Sequence, residues 1–118
     1  MRAAWKPAVI DDGWFPGRAH DRAGLGDWRI DHAKFPDGFK PLIDHVHDLG
    51  MDFGLWIEPE MVNADSELFR AHPDWALQVE GLAPIEGRQQ RVLDIARAEV
   101  SDYLFTALDA VLRNNAIA

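Results

Sequence analysis

Cysteine is absent from the chain. A disulfide framework, a thiolate nucleophile and a cysteine-ligated zinc go with it. Basic residues are scarce, with 12 Lys and Arg against 20 Asp and Glu. The resulting net charge of −8 argues against non-specific binding to nucleic acid or to an anionic membrane surface, both of which need clustered cations. Long apolar runs are missing too. The longest is about that of Phe53–Ile57, far short of a transmembrane helix. The opening Met1-Arg2-Ala3-Ala4-Trp5-Lys6-Pro7 has no apolar core of a secretory leader, which is compatible with a cytoplasmic location. Repeats, low-complexity tracts and Ser/Gly-rich linkers are lacking, so the 118 residues suggest one small unit. An apolar content of 47% is ordinary for a globular chain and excludes a disordered or fibrous one.

What is present is an alternation of strand and helix. Ala8-Val9-Ile10 reads as a short buried strand stopped by Asp11-Asp12-Gly13. Residues 14–35 read as a long loop, of the kind that is functional or disordered in compact domains. Phe39, Leu42, Ile43, Val46 and Leu49 then form one stripe at helical period, with Asp37 as the expected N-cap and Gly50 as C′. Pro41 is tolerated there because it lies near the first turn. Phe53–Ile57 is a second apolar strand, ended by Glu58-Pro59-Glu60. Asn63 or Asp65 would cap a short helix through Ala71, ended by His72-Pro73. Residues 76–90 carry little pattern, and Arg91-Val92-Leu93 reads as a brief strand. Val100, Leu104, Ala107, Leu108, Val111 and Leu112 make the clearest helical face, ending at Asn114-Asn115, before Ala116–Ala118 opens what looks like another strand. This order predicts an α/β fold of βαβ units with parallel strands.

In parallel α/β folds, ligands bind beyond the carboxyl ends of the strands. Both apolar strands end there in acids: Asp11 and Asp12 after the first, Glu58 and Glu60 after the second. Glu58 and Glu60 share a side in extended backbone, whereas Asp11 and Asp12 point to opposite sides. Trp14, Trp28 and Trp56 lie near the same ends. Carboxylates accept hydroxyl hydrogen bonds and indole faces cover C–H groups, so the combination suits a sugar. Taken singly, each acid reads equally as a loop cap and each tryptophan as core; Trp5 and Trp75 read as packing residues. A metal site is not indicated. His45 and His47 are two apart on a helix and share no face, no HExxH spacing occurs, and His20, His32 and His72 stand isolated. Gly24-Leu25-Gly26 follows no strand, so a phosphate loop is not indicated either. The residues alone leave an enzyme, a non-catalytic sugar-binding module and a metal-dependent barrel hydrolase open.

Several of these segments, at this order and spacing, resemble the bacterial α-galactosidases of glycoside hydrolase family 36. They are Ile10-Asp11-Asp12-Gly13-Trp14-Phe15, Gly24-Leu25-Gly26-Asp27-Trp28, Gly50 to Val62, His72-Pro73-Asp74-Trp75, Gly87-Arg88-Gln89-Gln90 and Leu93-Asp94. The resemblance runs from about Val9 onward; the first eight residues match poorly. It implies a partial (β/α)8 barrel, with this chain holding the second and third strands and their helices, about two βα units. It implies that Asp11 and Asp12 bind galactose hydroxyls, that Trp56 forms a wall and that Arg88 makes a further hydroxyl contact. Trp28, Glu58 and Glu60 would orient those groups or line the rim. The family retains anomeric configuration, with two aspartates about 5–5.5 Å apart across the bond. Its nucleophile follows an Ile-x-Tyr-Ile lead-in, and the present sequence stops at Ile117-Ala118 within that lead-in. The expectation is therefore a piece of a raffinose- or melibiose-type α-galactosidase without its catalytic pair, inactive alone. No cofactor or metal is implied, the partner is an α-galactoside, and full-length members are expected to be homo-oligomers.

Overall fold

The computed structural model describes residues 6–77 and 90–115. The expectations for Trp5, Arg88 and the segment 116–118 lie outside them. The elements run β1 (Pro7–Ile10), α1 (Lys40–Asp48), β2 (Asp52–Leu55), β3 (Met61–Asn63), α2 (Glu67–Ala71), a 3₁₀ turn (Pro73–Trp75), β4 (Gln90–Val92) and α3 (Ala98–Asn114).

β1 and β2 pair in parallel from Pro7↔Asp52 to Ile10↔Leu55, with α1 crossing between them. That is the βαβ unit read from the sequence. The expectation of uniformly parallel strands is corrected by β3 and β4, which form a separate antiparallel pair, Met61↔Val92 to Asn63↔Gln90. β4 answers to the brief strand expected at Arg91-Val92-Leu93, whereas three residues shortly after Pro59 leave no periodic signal for β3. The first strand is also less buried than its apolar run suggested. Val9 is 57% exposed, and among the described residues no element covers that face of the two-stranded sheet.

α1 ends as its glycine dictates. Gly50 adopts φ +76°, its N–H donates to His47 O, and Met51 N–H donates to Val46 O, a Schellman closure. Its start differs from the expectation at Asp37. A further turn, closed by Gly38 N–H to Phe35 O, moves the N-cap to Phe39, which offers no side-chain cap. Pro41 in the first turn has no N–H there to satisfy. The stripe narrows as well: Phe39 and Ile43 are buried, but Leu42 and Leu49 stay exposed. The short helix is capped by Ser66, whose Oγ accepts from Phe69 N–H, in place of Asn63 or Asp65. α3 buries Val100, Leu104 and Val111, the face its periodicity indicated.

The segment 14–35 is neither disordered nor peripheral. Trp14, Phe15, Leu25 and Trp28 are buried in it and join Phe39 and Val62 in the core. Their rings meet edge to face: Phe15 with Trp28 at 4.8 Å, Trp14 with Phe15 at 5.4 Å and Phe35 with Phe39 at 5.0 Å. Such contacts add about 0.5–1.5 kcal/mol each beyond area burial. Tyr103 of α3 donates its hydroxyl to Gly26 O and tethers the helix to the same loop.

Candidate active site

The carboxyl ends of β1 and β2 are joined by one hydrogen bond past the sheet, from Trp56 N–H to Ile10 O at 2.8 Å. This sets Trp56 beside Asp11 at the shared strand ends. A second bond, from Trp14 Nε1 to Trp56 O at 2.8 Å, fixes Trp56 to the loop after β1. The backbone thus brings together Asp11, Asp12 and Trp56, three of the residues singled out in the sequence.

The two aspartates differ in their surroundings. Asp11 is exposed and its Oδ1 accepts from Asp12 N–H. Asp12 is gripped from below by Arg18, with Nε to Oδ1 at 2.9 Å and Nη2 to Oδ2 at 2.8 Å. Arg18 is itself buried, and no pattern in the sequence pointed to a role for it. Lys34 closes the turn by donating Nζ to Gly13 O and Arg18 O.

The expectation of three indoles at the rim narrows to one. Trp14 and Trp28 are 1% and 2% exposed, whereas Trp56 is half-buried and keeps an open part. Trp28 and Phe15 pack against Trp56, the former at 6.3 Å and the latter at 6.5 Å, so their place is to support its ring. Glu58 and Glu60 follow directly. Glu58 O accepts from Met61 N–H and Glu60 O accepts from Leu93 N–H, so their backbones turn the chain from β2 into the antiparallel pair.

Two further residues have a place in the network that the sequence did not indicate, Asn63 having been read as a helix cap and Asp27 only as part of the segment Gly24–Trp28. Asn63, fully buried on β3, accepts at Oδ1 from both Leu25 N–H (2.9 Å) and Arg18 Nη1 (3.2 Å). Asp27 receives Glu67 N–H and Leu68 N–H on its two carboxylate oxygens, holding the loop to the start of α2. Burial pushes the Asp27 carboxyl above its usual range, and the two backbone N–H bonds offset this only in part. Sequence spacing has no signal for either, since their partners lie about 40 positions away. Among the described residues, no cluster of three His, Asp or Glu side chains suits a metal ion. A groove of about 630 Å³ lies elsewhere, between Trp28, Ile30, Asp37 and the Tyr103 and Val111 side of α3. It holds none of the acids at the strand ends.

The family model described as Melibiase matches residues 4–118. The chain belongs to the melibiase family. An α-galactosidase of Escherichia coli is 55% identical over 97 residues, which are 82% of this chain and 14% of that protein. Among solved structures, the family 36 α-galactosidase AgaB of Geobacillus stearothermophilus superposes with a TM-score of 0.89 at 48% identity, over 96% of this chain and 16% of that one. A variant of AgaA from the same organism, in complex with raffinose, gives 0.87 at 47% identity, over 96% and 16%. The melibiase-family chain described here therefore spans about a seventh of the length of the relatives it matches, and its fold is the α/β arrangement found in their galactosidase domains.

Proposed function

We propose that this chain supplies part of the galactose-binding end of an α-galactosidase barrel that hydrolyses terminal α-galactosides with retention. In this reading β1 and β2 are neighbouring strands of a (β/α)8 barrel, the second and third, and their carboxyl ends face the substrate. Asp11 and Asp12 accept hydroxyl hydrogen bonds, Trp56 covers the C–H face of the ring, and Arg88 adds a donor. Glu58 and Glu60 shape the rim behind Trp56, and Trp28 supports it. The nucleophile and the acid/base lie outside these 118 residues, so the isolated chain binds weakly and turns nothing over. The observation that carries the reading is the parallel pair that delivers Asp11, Asp12 and Trp56 to one edge.

Paired carboxylates also account for choice among epimers. A carboxylate placed for the axial 4-hydroxyl of galactose is left without its donor by the equatorial epimer, and an unpaired polar group in a closed site costs about 1–3 kcal/mol. Raffinose, the ligand of the AgaA variant, supports the substrate class.

A chimera tests this directly. Residues 4–118 replace the matching segment of Geobacillus AgaB, and hydrolysis of an aryl α-galactoside is followed. The chimera should be active, and Asp12→Ala should lower its kcat/KM by about 10- to 150-fold, the equivalent of one charge-assisted hydrogen bond at about 1.5–3 kcal/mol. A folded but inactive chimera, or an Asp12→Ala chimera as active as its parent, would overturn the proposal.

A further inference from the structure

Asp12 lies beyond the end of β1, in a turn whose own backbone-to-side-chain hydrogen bond holds Asp11 and leaves the Asp12 side chain to other partners. What fixes it is Arg18. The guanidinium side chain is 4% exposed while the Asp12 side chain is 39% exposed, so the pair is closed below and open above. Nε and Nη2 occupy one lone-pair direction on each carboxylate oxygen. Nη1 donates to Ala23 O at 2.9 Å and to Asn63 Oδ1 at 3.2 Å. Asn63 is in turn joined to Leu25 in both directions, through Leu25 N–H to Oδ1 and Asn63 N–H to Leu25 O. The fork is thus anchored to β3 and to the 23–25 loop before it reaches Asp12.

The backbone of Arg18 is clamped as well. Gly24 adopts φ +89°, and a Cβ there would meet Pro16 O at 3.0 Å and Arg18 N at 3.1 Å. Only a residue without a side chain allows the loop to fold back so closely. Phe15 supports the guanidinium plane, with its ring centroid 5.8 Å from Cζ.

We infer that Arg18 is a positioning residue for galactose recognition: its buried, bidentate fork fixes the plane of the Asp12 carboxylate, and with it the direction of the lone pair left on each oxygen. This rests on the proposed galactose-binding role of Asp12 and adds the residue that sets its geometry. A carboxylate has about four acceptor sites, and Arg18 uses two. The two that are left, one on each oxygen, point to opposite sides in the plane that the guanidinium holds, so each is aimed for a separate hydroxyl. Lysine at this position would keep the charge but present a single point donor, and the carboxylate plane would be free to rotate.

The test uses the AgaB chimera and separates this inference from the one beneath it. Arg18→Lys should raise KM for an aryl α-galactoside, and the inhibition constant of free galactose, by about 10-fold or more, with kcat within about 3-fold. Combined with Asp12→Asn, it should add little, because the aspartate it orients has already been impaired. Asp12→Glu keeps a carboxylate beside the buried guanidinium, so the charge of Arg18 is not left without a partner. It should weaken galactose binding about as much as Asp12→Asn, since Arg18 would hold the longer carboxylate in the wrong place. Normal galactose binding by Asp12→Glu would overturn the inference even if Arg18→Lys failed to fold. So would effects of Arg18→Lys and Asp12→Asn that simply multiply, or an unchanged KM in folded Arg18→Lys. Should Asp12→Asn itself leave galactose binding unchanged, the role assigned to Asp12 fails, and with it the role assigned to Arg18.

Discussion

Asn63 offers the sharpest perturbation of the network under the site. Replacing it by alanine removes the carbonyl oxygen that receives Leu25 N–H and Arg18 Nη1. Leu25 is fully buried, so its N–H is left without an acceptor, at about 1–3 kcal/mol. Arg18 loses one of four hydrogen bonds and keeps those to Asp12 and Ala23, which limits that part to about 1 kcal/mol. The backbone bond from Asn63 N–H to Leu25 O survives the change. The expected destabilisation is therefore about 2–4 kcal/mol. Asn63→Asp probes the same oxygen through charge alone. It keeps both acceptor bonds but sets a second carboxylate against a guanidinium already matched by Asp12, leaving one buried negative charge in excess. At pH 7 it should be destabilised, and the deficit should shrink on acidification as the new carboxyl takes up a proton. Urea unfolding followed by tryptophan emission suits the measurement, because Trp14 and Trp28 are buried in the adjoining core. A loss below about 0.5 kcal/mol for Asn63→Ala, or an Asn63→Asp deficit that does not depend on pH, would refute the reasoning.

Two further outcomes follow. Gly24→Ala forces a Cβ against backbone atoms of Pro16, Gly17 and Arg18 at 3.0–3.2 Å, whereas Gly50→Ala, also at positive φ, meets nothing within 4 Å. Unfolding midpoints should therefore place Gly24→Ala well below Gly50→Ala, which itself should lose about 1–2 kcal/mol from the left-handed conformation alone; equal losses would contradict the close approach. Asp27 has a carboxyl raised by burial, so the native state holds its proton to higher pH than the unfolded chain. Its contribution is full below the unfolded value of 3.8 and is lost as pH rises through the folded value. Stability of the parent relative to Asp27→Ala, measured by urea unfolding between about pH 3.5 and 7, should decline as pH rises, with a limiting slope of about 1.4 kcal/mol per pH unit. A rising difference would reverse the sign.

The parts of the fold that announced themselves are those whose cause is local. The stripe of α3 and the glycine at the end of α1 each act within a few residues, and both lie where the pattern put them. The parallel pairing of β1 with β2 was inferred from two short apolar runs flanking a helix, which a crossover connection makes geometrically natural. β4 was read as a brief strand at Arg91-Val92-Leu93, but β3 and its antiparallel pairing were not, because three residues carry no period and the partner is remote. The segment 14–35 failed for another reason. Its glycines and charges suggested a loop, which it is, but Trp14, Phe15, Leu25 and Trp28 make it part of the core as well. Composition separates polar from apolar; it does not separate a loop over the core from a loop within it.

The same distinction governs the site. Asp11, Asp12 and Trp56 were visible because strand ends in α/β folds are where ligands bind, and that rule needs only the strands. The groups that hold Asp12 in place were not, because each is joined across the chain: Arg18 to Asn63, Asn63 to Leu25, Trp14 to Trp56. These contacts give the antiparallel pair its role. β3 places a fully buried Asn63 beneath the turn after β1, and its carbonyl oxygen braces the guanidinium that grips Asp12. The acidity of the chain therefore has more than one origin. Asp12 is matched by a buried cation, Asp27 is a loop-to-helix tie whose charge burial opposes, and Asp44 and Asp109 pair with lysine and arginine on exposed helix faces. Such exposed pairs contribute about 0–1 kcal/mol. A fixed buried partner, with the carboxylate itself still partly exposed, distinguishes Asp12 from these other acids and is what its proposed role in sugar recognition rests on.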